Sequence, residues 1–118
     1  TTTGRTITAW EVIHPSGAPS HALRIEAAGK VLSFSGDTEW TEALIPCAKG
    51  ADLMLMECYG FDTEVGYHMS WRTIEKELPR LEARRVMLTH MNREMLAHVP
   101  KIDHPRVLCA SDGLKLEI

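Results

Sequence analysis

Hydrophobic residues along this chain follow two different periods. Residues 6–13 are largely β-branched or aromatic, and residues 21–27 alternate Leu23 and Ile25 against Ala22, Arg24 and Glu26. Both stretches read as strands, the second half-buried. Ala28-Gly29-Lys30 turns the chain into a third strand over 31–34. The apolar run at 53–56, directly behind Asp52, suits a strand buried on both faces, and 85–88 is another short buried strand. Helical spacing lies between them. Trp40, Ala43, Leu44 and Cys47 predict a helix over 38–49, limited or kinked at Pro46 and closed by Gly50. Ser70 as N-cap, with Ile74, Leu78 and Leu81 on one face, predicts a second helix whose end Pro79 blurs. Asn92 caps a third, running to His98. Residues 61–69 read as a mobile loop with glycines nearby, and Asp112-Gly113 predicts a hairpin between strands at 106–110 and 114–118. Strands alternating with helices imply a layered α/β sheet with helices packed on it.

Composition narrows the class. A chain of 118 residues, 44% hydrophobic and 25% charged, is enough for one small globular domain. A net charge of −3 argues against a general nucleic-acid-binding surface. The one basic cluster, Arg80, Arg84 and Arg85, reads as a solvated helix end. Cys47, Cys58 and Cys109 are odd in number and widely spaced, which suits reduced thiols of a cytoplasmic protein. No apolar run approaches the ~20 residues of a membrane span, so no membrane partner is expected. The opening Thr1-Thr2-Thr3-Gly4-Arg5 lacks Met and enters a strand almost at once, so a processed chain or a piece of a longer protein is expected.

Candidate chemistry gathers at strand ends. His14, Asp37 and His90 each fall just beyond the C-terminal end of a predicted strand. If those strands are neighbours, all three side chains meet in one crevice, where α/β sheets commonly hold ligands. Imidazole nitrogens and a carboxylate are donors that Zn²⁺ accepts. The plainer alternatives are that Asp37 or Thr38 caps the helix behind it and that each His is a hydrogen-bonded loop residue. Spacing alone leaves both open.

The segments Val12-Ile13-His14-Pro15, Leu23-Arg24-Ile25-Glu26, Ser35-Gly36-Asp37-Thr38, Gly50-Ala51-Asp52-Leu53 leading to Glu57, Gly66-Tyr67-His68-Met69-Ser70 and Leu88-Thr89-His90 occur in that order. Together they resemble the metallo-β-lactamase-fold hydrolases, most closely the branch of ribonuclease Z and related phosphodiesterases. The resemblance runs over residues 7–118. It implies that His14 is a ligand of a first zinc, that Asp37 bridges two zincs, and that His90 is a ligand of the second. It implies a catalytic role for His68, which would pass a proton to the leaving group, and for Glu57, a carboxylate that could orient His68. The plainer alternative for Glu57 is a strand-end residue bonded to backbone.

One departure is large. The family's main metal motif, His-x-His-x-Asp-His, would precede His14, and no His-x-His occurs in this chain. His98, Asp103 and His104 have the wrong spacing to replace it. The resemblance therefore implies an α/β fold that is one half, the C-terminal half, of an αββα sandwich: a mixed sheet with helices on one face. It implies a parent enzyme in which metal-activated water attacks a phosphodiester, with RNA among the candidates, or another ester or amide. Two zinc ions are expected in the intact enzyme, with partial or no occupancy and no activity in this chain alone. The expected partner is the missing N-terminal half or a second copy of the chain, as in a homo-oligomer. The alternative is a non-catalytic half-domain that retains relic ligand residues.

Overall fold

The computed structural model describes residues 4–15 and 17–118. One six-stranded sheet runs through it, with its strands in chain order: β1 (Arg5–Val12), β2 (Ser20–Ala27), β3 (Lys30–Phe34), β4 (Leu53–Glu57), β5 (Val86–Thr89) and β6 (Val107–Cys109). β2 is antiparallel to both neighbours, and β3 to β6 are mutually parallel. Ala28 and Gly29 both take positive φ, 53° and 75°, which makes the tight two-residue turn that pairs Ala27 with Lys30.

Each parallel step crosses over through a short helix: α1 (Leu44–Ala48), α2 (Trp71–Glu77) and α3 (Arg93–His98). Right-handed crossovers that always advance in one direction put every helix on the same face. The sheet's side of that core is Ala22, Met54, Met56, Val86 and Leu88, fully shielded against Leu44, Cys47, Ile74, Leu78 and Met95. The caps at Ser70 and Asn92 form as the sequence predicts, accepting from Thr73 N at 3.2 Å and Met95 N at 2.8 Å.

The opposite face is apolar too. Ala9, Leu23, Phe34, Leu55, Met87 and Leu108 pair in register across all six strands, and Ile7, Ile25, Leu32 and Leu53 form a second row beside them. Among the described residues no helix packs on these rows; Phe34 is 38% exposed and Ile7 62%, while Leu53 and Met87 are buried. Large apolar patches of this kind are rare on monomers.

Two predicted elements are corrected. The helix expected over 38–49 is only α1, because Thr38 spends its hydroxyl on a neighbouring loop and residues 38–43 run as bends and turns. The hairpin after Asp112 does not close. Gly113 does turn, at φ 80°, but the residues behind it form no strand, and Leu114 and Ile118 stay exposed. No helix among the described residues is long and apolar enough to cross a membrane.

Candidate active site

Because only β2 runs the other way, the C-terminal ends of β1, β3, β4, β5 and β6 share one edge of the sheet. His14 follows β1, Asp37 follows β3, Glu57 ends β4 and His90 follows β5, so all four reach that edge. Gly36 makes Asp37's position available. Its φ is 64°, and a Cβ there would stand 2.9 Å from the carbonyl oxygen of His21. Behind it, buried Thr38 accepts the backbone N–H of Ile13 at 2.9 Å, while Glu39 N donates to Ile13 O at 3.2 Å. The loops carrying His14 and Asp37 are thus laced together. His90 itself takes a left-handed backbone, φ 59°, an unusual conformation for a residue with a Cβ.

Glu57 is the buried centre of the edge, with no exposed surface. Its Oε1 accepts from Thr38 N at 3.0 Å and contacts His68 Nδ1 at 2.7 Å. Its Oε2 accepts from Tyr59 N and Met69 N, each at 3.2 Å. Four donors fill the four acceptor sites of a carboxylate. Facing an ionised carboxylate, which only accepts, His68 Nδ1 is the donor of their contact, and Nε2 is the ring nitrogen not engaged by Glu57. Glu57 is thus bonded to backbone, the plainer alternative, and its carboxylate also contacts His68.

Three rings meet around His68. Tyr59 stacks on it at 4.6 Å between centroids, His14 meets it edge-on at 5.0 Å, and His90 lies tilted at 5.4 Å. Tyr59 also touches His90, at 5.6 Å. His14 Nδ1 lies 3.2 Å from the carbonyl oxygen of Tyr67, which requires a proton on Nδ1 and frees Nε2 as a lone-pair donor. His90 Nε2 lies 3.7 Å from Asp37 Oδ2, with both side chains half-exposed.

The structure thus gathers His14, Asp37, Glu57, His68 and His90 at one edge. The donor chemistry of His14, Asp37 and His90 suits zinc. Even so, among the described residues no three His, Cys, Asp or Glu side chains are arranged to hold a metal ion unaided.

Sequence reasoning missed Tyr59, whose signal was its place two residues beyond Glu57 at a strand tip, and Thr38, considered there only as a helix cap. The remaining histidines lie elsewhere. His21 is exposed on β2 opposite Glu11, and His104 Nδ1 accepts Arg106 N at 3.1 Å. His98 ends α3, where it stacks on Phe61 at 3.9 Å. Arg80 pairs with Glu42 and Glu77, and Arg84 with Asp52, so these cations face acids.

Comparison with known proteins bears on the fold. No curated protein sequence matches significantly. The metallo-β-lactamase fold protein YhfI from Bacillus subtilis superposes with a TM-score of 0.78 at 22% identity, over 97% of this chain and 50% of that one. Human tRNase Z, short form, gives 0.72 at 18% identity, over 94% of this chain and 41% of the other. A diphosphatase of the PhnP family gives 0.70 at 15% identity, over 100% and 45%. This chain therefore spans half or less of the length of these proteins, and at such identities the likeness concerns the fold. The sequence profile of the β-lactamase superfamily domain matches residues 1–91. With that match over most of its length, and a mixed sheet of the metallo-β-lactamase fold, the chain belongs to the β-lactamase superfamily.

Proposed function

We propose that this chain is one half of a zinc-dependent hydrolase that cleaves a phosphodiester. The observation that carries the reading is the single edge where His14 and His90 flank His68 and Asp37 stands beside His90, with His68 itself on a buried carboxylate. His14 and His90 would each supply an imidazole nitrogen to one of two zinc ions, and Asp37 would give a carboxylate to both. Zinc, when bound, supplies the positive charge that favours attack of water on phosphorus. The chain's own part is proton transfer. His68, its Nδ1 proton on Glu57, would take the attacking water's proton at Nε2 and give it to the departing alcohol oxygen as the P–O bond breaks. It ends neutral, with its Nδ1 proton still held by Glu57. Glu57 acts through His68 as a positioning residue.

The rest of the donor set would come from a covering half. The apolar rows of Leu23, Phe34 and Leu55 support this, since an open sheet face of this kind needs a second layer. Either the N-terminal half of the sandwich or a second copy of the chain would provide it. The phosphodiesterase class rests on kinship of fold with tRNase Z and the PhnP-family diphosphatase. A second reading, a non-catalytic half-domain with relic ligands, draws on the absence of any self-sufficient metal-binding group among the described residues.

The test is His68→Ala in the intact enzyme, assayed on bis(p-nitrophenyl) phosphate with zinc counted in parallel. A general acid contributes about 10²–10⁴-fold, so the rate should fall on that scale with zinc content unchanged. Loss of zinc in step with activity would make His68 a ligand instead. An intact protein that never hydrolyses the diester would favour the non-catalytic reading.

A further inference from the structure

The loop that delivers His68 is held from outside the site. Its ends are closed: Gly60 bridges to Ser70, Tyr59 N donates to Met69 O at 3.0 Å, and Trp71 N donates to Gly60 O at 2.8 Å. Between these ends residues 62–67 are exposed, as in a compact surface loop. Read from the sequence as mobile, the loop is in fact gripped by α3. Glu94 Oε1 accepts the backbone N–H of Phe61 at 2.9 Å, and Oε2 accepts the hydroxyl of Thr63 at 3.3 Å. One turn further along α3, His98 stacks on the Phe61 ring at an interplanar angle of 6°. The Arg72 guanidinium stands over the same ring, 4.8 Å from its centroid. Gly60 fits the grip, because a Cβ there would meet Thr63 O at 2.6 Å and Glu94 Oε1 at 3.6 Å. The same helix starts beside the site: Asn92 N donates to Tyr59 O at 2.8 Å, two residues after His90.

From these contacts we propose that Glu94 is a positioning residue, a clamp from α3 that sets the 61–68 loop so that His68 faces the leaving group. The inference rests on the reading of His68 given above. Glu94 also lies in the first turn of α3, where a negative charge favours the helix dipole. The clamp and the dipole make opposite demands on Glu94→Gln. The amide loses the charge but keeps a carbonyl oxygen for Phe61 N. Glu94→Ala loses both.

The experiment compares Glu94→Ala, Glu94→Gln, His68→Ala and the double variant Glu94→Ala/His68→Ala in the intact enzyme. It records kcat and KM on bis(p-nitrophenyl) phosphate and amide hydrogen exchange over residues 61–68. Small misplacements of a catalytic group cost up to about 10²-fold, so Glu94→Ala is expected to lower kcat about tenfold with KM within about twofold. Glu94→Gln should recover most of that loss. The double variant should be no slower than His68→Ala alone, because a residue acting through His68 has nothing left to act on. Exchange at the Phe61 amide should rise at least about tenfold in Glu94→Ala. Unchanged exchange at Phe61, a Glu94→Gln defect as large as that of alanine, or full additivity with His68→Ala would each overturn the clamp. Should His68→Ala itself leave kcat untouched, the proton-donor reading fails, and exchange at Phe61 alone then decides whether Glu94 holds the loop.

Discussion

Replacing Glu57 by glutamine tests the site's buried centre without opening a cavity. The amide has the same shape but only one acceptor oxygen. With that oxygen in the Oε2 position, the N–H groups of Tyr59 and Met69 keep their partner. The amide nitrogen then faces Thr38 N and His68 Nδ1. His68 can adapt by moving its proton to Nε2 and accepting at Nδ1, whereas the backbone N–H of Thr38 cannot. The reverse orientation would orphan two backbone donors, so the first should prevail. One buried N–H left unpaired costs about 1–3 kcal/mol. Against a net stability of about 5–15 kcal/mol for a small domain, that is a measurable fraction. In urea, with a slope of about 1–3 kcal/mol per molar, the midpoint should fall by roughly 1 M. Imidazole nitrogen NMR of the intact protein should show His68 protonated on Nδ1 in the wild type and on Nε2 in Glu57→Gln. An unchanged midpoint together with an unchanged His68 tautomer would refute the hydrogen-bond accounting at Glu57.

Three further outcomes follow from single features. Gly36→Ala forces a left-handed alanine, costing about 1–2 kcal/mol, and drives its Cβ onto the His21 carbonyl; activity of the intact enzyme should fall, and an alanine variant with wild-type stability and rate would contradict the crowding. Burial, with Glu57 nearby, pushes the Cys58 thiol up to about 12, so iodoacetamide at pH 8 should leave it unlabelled in the native protein while partly exposed Cys109 reacts; mass spectrometry showing Cys58 labelled first would contradict this. This chain alone should bind a hydrophobic dye through the Phe34 and Leu55 face and associate at micromolar concentration. A monomer that unfolds cooperatively and ignores the dye would mean that the face closes by itself.

Strands and strand ends were legible because each buried run is short, apolar and bounded by turn residues. Leu53–Glu57 and Val86–Thr89 lie where the apolar runs put them, and that alone carried His90 to the edge and left Glu57 at its strand tip. The caps at Ser70 and Asn92 were legible because capping is local. Elements that depend on distant partners were not. Thr38 looked like the start of a helix, but its hydroxyl serves Ile13, 25 residues away. Asp112-Gly113 does turn, yet a turn makes a hairpin only when a second strand finds a partner, and none forms behind it. The loop at 61–69 looked mobile because nothing local reveals Glu94, 33 residues from Phe61. Position alone marks His14, Asp37 and His90 in the sequence, and resemblance supplies their expected roles; that His14 and His90 flank His68 and Asp37 lies beside His90 depends on the sheet order.

The central proposal is that Asp37, 3.7 Å from His90 and on the same sheet edge as His14, holds metal for the intact enzyme. Its most direct test is zinc per protein, counted by atomic absorption in the intact enzyme as wild type, Asp37→Ala and His104→Ala. A carboxylate shared by two metals leaves both short of neutralising charge when it is removed. Close to two zinc ions are expected in the wild type and in His104→Ala, and fewer than one in Asp37→Ala. Equal zinc in Asp37→Ala and His104→Ala would contradict the proposal.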